Sequence, residues 1–223
     1  ELDLHIAQSG LLTLLPGGRT LQDILNAQLI AAGVPVLLSG DTNAVAGGVI
    51  GSNSKSAYAQ GTLHLTDTVD FTLGARYQKE SRTVSRSRFG LLSPIDGSEI
   101  PLLQFDPPKL DTTQFSPRVA LQWKPSDDIN VYTSFARGYQ SPTYNAVNFF
   151  SPPDPVKEVK VDAYELGIKA QVPDLALQFE SAVFYSDESN ITSASVSLTS
   201  GGLARFDNGG SAGVKGIETG GAW

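Results

Sequence analysis

Between Phe115 and Pro142 (FSPRVALQWKPSDDINVYTSFARGYQSP) the side chains change character at almost every step, and this constrains the fold more than any other feature of the chain. Phe115, Val119, Leu121 and Trp123 fall on one side of an extended backbone and Ser116, Arg118, Gln122 and Lys124 on the other, because successive strand residues point to opposite faces. Pro125, Ser126, Asp127 and Asp128 supply turn chemistry: proline presets φ, and the Ser and Asp side chains bond nearby backbone in place of a ladder partner. Ile129, Val131, Thr133 and Phe135 then oppose Asn130, Tyr132, Ser134 and Ala136, until Gly138 and Ser141-Pro142 open a longer loop. One such hairpin is only marginally stable in water, so neighbouring strands are required.

Two further hairpins follow the same rule. Ala57 to Leu65 alternates, Thr66-Asp67-Thr68 turns, and Val69, Phe71, Leu73, Ala75 and Tyr77 oppose Asp70, Thr72, Gly74, Arg76 and Gln78. Tyr164 to Gln171 alternates, Val172-Pro173-Asp174 turns, and Leu175 to Tyr185 returns, with Phe184 interrupting its polar side. A last strand near Val214 to Trp223 brings the expected count to about seven. The expected fold class is all-β and antiparallel, with residues 57–223 forming strands and loops. Residues 1–56 read as a long loop, glycine-rich from Ala46 to Ser54, with a short helix from Leu21 to about Ala32 that Thr20 caps and Gly33 stops.

Composition narrows the function classes. The net charge of −7 argues against a general nucleic-acid binder, which carries a basic face. With no cysteine there is neither a disulfide framework nor a Cys-ligated metal, and His5 and His64 show no metal-ligand spacing. No catalytic pattern and no phosphate-cradling glycine motif is present, so neither an enzyme nor a cofactor is expected. The absence of Met from a chain that opens Glu1-Leu2-Asp3 reads as an interior or processed piece.

Short turns alternate with long connections, about Lys79 to Thr113, Gly138 to Lys160 and Ser186 to Ser211. Alternating strands suit a soluble extracellular β-sandwich, for binding or adhesion, as well as a transmembrane barrel. The short-long asymmetry favours the barrel, which has tight turns on one rim and extended loops on the other.

Several phrases recur in a definite order: Phe115-Ser116-Pro117, Val131-Tyr132, Arg137-Gly138, Ser141-Pro142, Tyr164-Glu165-Leu166-Gly167-Ile168-Lys169, Ala182-Val183-Phe184-Tyr185 and Lys215-Gly216-Ile217-Glu218. In that order and spacing the chain resembles the barrel portion of TonB-dependent outer-membrane receptors, well from about Ser54 to Trp223 and vaguely before it. The resemblance implies an up-and-down transmembrane β-barrel segment, about seven strands of roughly 22 around a plugged lumen. It also implies a fragment without the plug domain, set in outer-membrane lipid. For the whole receptor it implies TonB and the plug as partners, and uptake of a ferric siderophore or other large nutrient.

Candidate sites follow from these placements. Arg76, Arg118, Lys124, Glu165, Lys169 and Glu180 fall on the polar face, where a lumen lining or ordinary solvated charge would put them. Tyr77, Trp123 and Tyr185 sit near strand ends on the apolar face, as an aromatic girdle or simple cross-strand packing would have them. Arg82, Arg86 and Arg88 form a basic cluster on an expected outward loop, suited to an anionic chelate or a lipopolysaccharide phosphate. Tyr139, Tyr144, Asn145, Phe149 and Phe150 make an aromatic loop able to stack on a ligand or on a neighbouring loop. Pro117 should mark a strand end or bulge, since it forfeits a ladder bond.

Overall fold

The computed structural model of the chain describes residues 2–8, 20–31, 33, 43–93, 95–145, 152–196 and 204–223. Eleven strands and one α-helix run in the order β1 (Leu2–Gln8), α1 (Leu21–Ala31), β2 (Asn43–Thr66), β3 (Val69–Leu92), β4 (Glu99–Phe105), β5 (Leu110–Ser126), β6 (Ile129–Gln140), β7 (Thr143–Asn145), β8 (Asp154–Val156), β9 (Val159–Val172), β10 (Leu177–Val196) and β11 (Ala204–Ala222). Nine strands form one antiparallel sheet in the order β1-β2-β3-β5-β6-β9-β10-β11, with β4 added to β3, while β7 and β8 pair as a separate ribbon.

The expectation of about seven strands is too low. All seven are present as β2, β3, β5, β6, β9, β10 and β11, and the four additions lie in stretches read as loop. They are short or, like β4 with its Pro101, broken in pattern, so period-two alternation cannot reveal them. The glycine-rich stretch Ala46 to Ser54 is likewise strand rather than loop, because β2 starts at Asn43 and is held by β1 on one side and β3 on the other. At roughly 3.3 Å per residue, the 24-residue strands β2 and β3 reach about 80 Å, far more than a bilayer needs even when tilted.

Helix α1 begins with a reciprocal cap in which the Asp23 amide donates to Thr20 Oγ1 (3.1 Å) and the Thr20 amide donates to Asp23 Oδ2 (2.8 Å). Three tight reversals lie at one end of the sheet, while the turn of residues 93–98 that joins β3 to β4 lies at the other. Asp67-Thr68 joins β2 to β3, with Thr66 Oγ1 accepting from the Thr68 amide (3.2 Å), and Asp127-Asp128 joins β5 to β6. A 3-10 turn at Pro173–Leu175 joins β9 to β10, closed by left-handed Ala176 (φ 47°), whose amide donates to the Pro173 carbonyl. Pro117 lies inside β5 and pairs with Ala75 of β3, but the β5–β6 ladder stops at Arg118 opposite Ala136. The proline therefore sits where one side of the ladder ends, and its missing N–H costs no bond there.

Burial is distributed the opposite way from a soluble domain. The well-buried apolar residues Leu29, Val45, Val49, Val84, Phe89, Leu91, Tyr144, Val156 and Val159 lie in α1, in the β7–β8 ribbon and in the parts of the sheet next to the long connections. Nearer the tight turns the apolar face is bare: Leu63, Leu73, Leu121, Trp123, Leu166 and Val183 are all exposed, Leu73 at 56% and Trp123 at 50%. No second sheet covers this face among the described residues, which overturns the soluble-sandwich alternative.

Candidate functional site

Cross-strand register brings the six predicted polar-face residues onto one surface. Arg76 lies opposite Ser116, Arg118 opposite both Gly74 and Ala136, Glu165 opposite both Ser134 and Phe184, and Lys169 opposite both Asn130 and Glu180. Lys124 reaches Asp70 of β3 (2.9 Å), which also holds His64 of β2. This face is the concave one. An open hollow of about 650 Å³ is lined by Arg118, Gln122, Tyr132, Glu165, Lys169 and Glu218 among others. A second, of about 680 Å³ near the tight turns, is lined by Lys124, Asp128, Lys169 and Glu180 among others.

Two glycines set how the concave face is packed. Tyr132 lies across Gly167 of the next strand, where an added Cβ would come within 2.5 Å of the ring, and its hydroxyl donates to Glu165 Oε1 (2.6 Å). Phe184 lies over Gly216 in the same way, with its ring 2.6 Å from where a Cβ would stand. This explains the one apolar side chain that interrupts the polar side of β10: it covers bare backbone instead of facing open space. Both glycines belong to the recurring phrases around Tyr164–Lys169 and Lys215–Glu218.

Near the long connections the polar face carries a buried carboxylate that no sequence motif singles out. Glu80 is 3% exposed and accepts from Ser141 Oγ (2.6 Å), Arg82 Nε (2.7 Å), Ser52 Oγ (3.3 Å) and Gln78 Nε2 (3.3 Å). Burial works to raise its pKa, but the hydrogen bonds from Ser141 and Arg82 outweigh burial and hold it below the usual carboxylate value. Gln78 and Arg82 stand two residues away on the same face of β3, while Ser52 and Ser141 are brought in from distant parts of the chain.

The predicted ligand residues do not form one cluster. Arg82, Arg86 and Arg88 stand on β3, not on a loop, because β3 continues to Leu92. Arg82 is paired with Glu80, and Arg88 makes a two-pronged pair with Glu99 of β4 (2.6 and 3.0 Å), while Arg86 sits in a bulge at φ 52°. Tyr144 is buried, its hydroxyl donating to the backbone carbonyls of Pro108 (2.7 Å) and Arg82 (3.2 Å). Asn145 exchanges two bonds of 2.7 Å with the Phe206 backbone of β11. Tyr139 lies opposite Lys160 on the face continuous with Phe135 and Tyr164, so it points away from the concave side. Phe149 and Phe150 lie outside the described residues.

The apolar, convex face has a sharp upper limit. Tyr77 and Phe115 are cross-strand neighbours, and Phe135, Tyr164 and Tyr185 follow one another across β6, β9 and β10 with ring centroids 5.0 and 6.3 Å apart. One row further from the tight turns the same face turns polar, with Lys79, Thr113, Arg137, Asp162 and Asp187. Below it, Val69 to Tyr77 and Phe115 to Trp123 each give about nine residues, the length a tilted strand uses to cross a bilayer. Trp123 stands at the lower end of that band and Tyr77 and Tyr185 at the upper, as an aromatic girdle places them.

Residues 17–223 match the family model described as TonB dependent receptor-like, beta-barrel. The chain belongs to that family. A pesticin receptor of Yersinia enterocolitica is 28% identical over 171 residues, 75% of this chain and 23% of the relative, and one from Yersinia pestis is 27% identical over 169. The sheet superposes on the ferric yersiniabactin uptake receptor FyuA from Yersinia pestis with a TM-score of 0.61 and 23% identity, covering 81% of this chain and 25% of that one. The FrpB iron transporter from Neisseria meningitidis gives 0.56 at 15% identity, covering 90% and 26%, and is evidence for the fold alone. The chain thus spans about a quarter of the length of these relatives. It is an antiparallel segment of an outer-membrane receptor barrel, in a family of transport receptors.

Proposed function

We propose that this chain is the barrel wall of a receptor that imports a ferric siderophore or another large nutrient, coupled to TonB. The observation that supports it most is the two-sided sheet: a bare apolar band about nine residues tall between aromatic rows, backed by a concave face of Arg, Lys and Glu. In this reading Arg76, Arg118, Lys124, Glu165, Lys169 and Glu180 line the lumen and meet the plug domain. Arg118 pairs with no other described residue and so offers a free guanidinium to the hollow. Residues 57–223 serve as wall and loops, and the helix-bearing section within 1–56 as an outward-facing excursion. Tyr144 and Asn145 act here as anchors for the aromatic stretch expected to meet the ligand; its Phe149 and Phe150 lie outside the described residues. Arg82, Arg86 and Arg88 contribute positive charge along the same rim. The pesticin and yersiniabactin receptors support the ligand class by kinship.

The test is uptake of labelled iron, presented as a panel of ferric siderophores, by cells whose own gene for the full-length receptor is deleted and then restored. Restoration should recover uptake of one chelate, and a protonophore should abolish it. Recovery of none rules out the siderophore in favour of another nutrient, and uptake indifferent to the protonophore overturns the proposal.

A further inference from the structure

One row beyond the aromatic boundary, β2 and β3 bring two ammonium groups together on the convex face. Lys55 is the direct cross-strand partner of Lys79, and both are exposed. Their parity is that of Ala57, Ala59, Tyr77 and Ala75, so they point to the side that faces lipid lower down. Like charges directly opposite in a sheet are destabilising, and neither lysine is in an ion pair or hydrogen bond with a described residue. The nearest carboxylate across the ladder, Asp111, is bonded by Lys109 (3.1 Å). Around the pair stand further polar groups of the same face: Thr113 opposite Lys79, and one row outward Asn53 opposite Ser81.

The contrast with the rest of this belt is informative. Arg137 holds Asp162 through two bonds (2.6 and 2.9 Å) and Lys160 lies 3.4 Å from the same carboxylate, so at β6 and β9 the chain supplies its own counter-charge. At β2 and β3 the only carboxylate that acts on the pair among the described residues is Asp111, which attracts Lys79 from a distance while bonded to Lys109, although the chain as a whole is acidic. An external anion is the missing partner, and its depth is fixed by the ring of Tyr77 just below: the level at which lipid headgroups meet the barrel.

The geometry points to a binding site for a phosphorylated lipid headgroup of the outer leaflet at Lys55 and Lys79, each donating charge-assisted hydrogen bonds to one phosphate. The site rests on the chain's place in an outer-membrane barrel and is independent of which nutrient is carried.

The experiment is native mass spectrometry of the full-length receptor, extracted in mild detergent and re-exposed to vesicles of neutral lipid alone or with a phosphorylated lipid, alongside K55Q, K79Q, the double variant and K160Q. Heat-modifiability on gels checks that each barrel has formed. The wild type should retain phosphorylated lipid over neutral lipid, with about a tenfold loss for each single substitution. K160Q should match the wild type, because Lys160 lies on the same face but 3.4 Å from Asp162, which Arg137 also holds. If the double variant does not fold, the single variants carry the comparison. Equal retention in wild type and variants overturns the proposal. So does a wild type that takes up inorganic phosphate but holds no phosphorylated lipid, or one that holds neither. Loss of siderophore uptake leaves this readout untouched, so the two proposals fail separately.

Discussion

At the scale of single residues, the concave face is ordered by what each glycine leaves open. Gly167→Val would drive a side chain into the Tyr132 ring, displacing it and breaking its bond to Glu165. Overpacking of this kind costs about 1–3 kcal/mol, so the urea midpoint of the full-length barrel should fall measurably, while Gly138→Ala, with open space around it, should leave it in place. Asp96 offers a pH test outside the membrane. Hydrogen bonds from the Ser93 and Ser98 side chains and the Ser98 amide hold its carboxyl at about 2, below its ordinary 3.8. A folded-state pKa below the unfolded one contributes stability that is complete above about 4 and is lost as pH falls through about 2. Amide exchange at Ser98 should therefore rise as pH falls from 4 to 2, after correction for intrinsic rates, and Ser98→Ala should move the Asp96 midpoint up towards 3.8. The polar-face residues were legible because alternation assigns a face without any knowledge of contacts. Glu80, which collects bonds from Ser52, Gln78, Arg82 and Ser141, was not, since β2, β3 and the segment after β6 meet there and no local pattern encodes that meeting.

At the scale of the strand, neighbouring positions on β5 should respond very differently to the same change. Leu121 is on the bare apolar face and Gln122 lines the concave hollow. Leu121→Arg should cost roughly 2–4 kcal/mol in membrane folding, and Gln122→Arg far less. Equal heat-modifiability of the two variants would count against a lipid-facing Leu121. The hairpins carrying these strands were visible from sequence because each tight turn fixes its own register. The outward halves of β2 and β3 were not, because above Lys55 and Lys79 apolar residues such as Val49, Val84 and Phe89 are scattered among glycines and polar residues and the period fades. There the backbone is held by pairing with β1 and β4 and by burial of Val45, Val49, Val84 and Phe89. The β7–β8 ribbon is a further case. Tyr144 reaches the backbone of β3 while its neighbour Asn145 reaches β11, strands at distant positions in the sheet order. Asn145→Ala should leave the Phe206 amide and carbonyl without their side-chain partner, at about 2 kcal/mol, and hasten limited proteolysis within residues 152–157 without changing the barrel's melting.

At the scale of the whole molecule, what decides the behaviour of these residues is which surfaces are covered. Along the tight-turn half of the sheet the large apolar side chains are open on one face, from Ile168 at 36% to Ile217 at 74%, while the well-buried apolar residues cluster around the long connections. A patch of that extent far exceeds what a soluble monomer tolerates, and β11 presents an edge with no partner beyond β10 among the described residues. Hydrophobic burial for this half must come from hydrocarbon outside, and the free ladder groups of β11 must be met by further strands. Taken alone in plain buffer, the 223-residue polypeptide is therefore expected to aggregate. In detergent it should gain β-structure, as circular dichroism would show, but give no sharp melt, because an unclosed sheet still has an edge. A monomeric, cooperatively melting species on size exclusion without detergent would mean that the apolar faces satisfy one another, and the lipid-facing assignment of Leu73, Leu121 and Val183 would have to be abandoned.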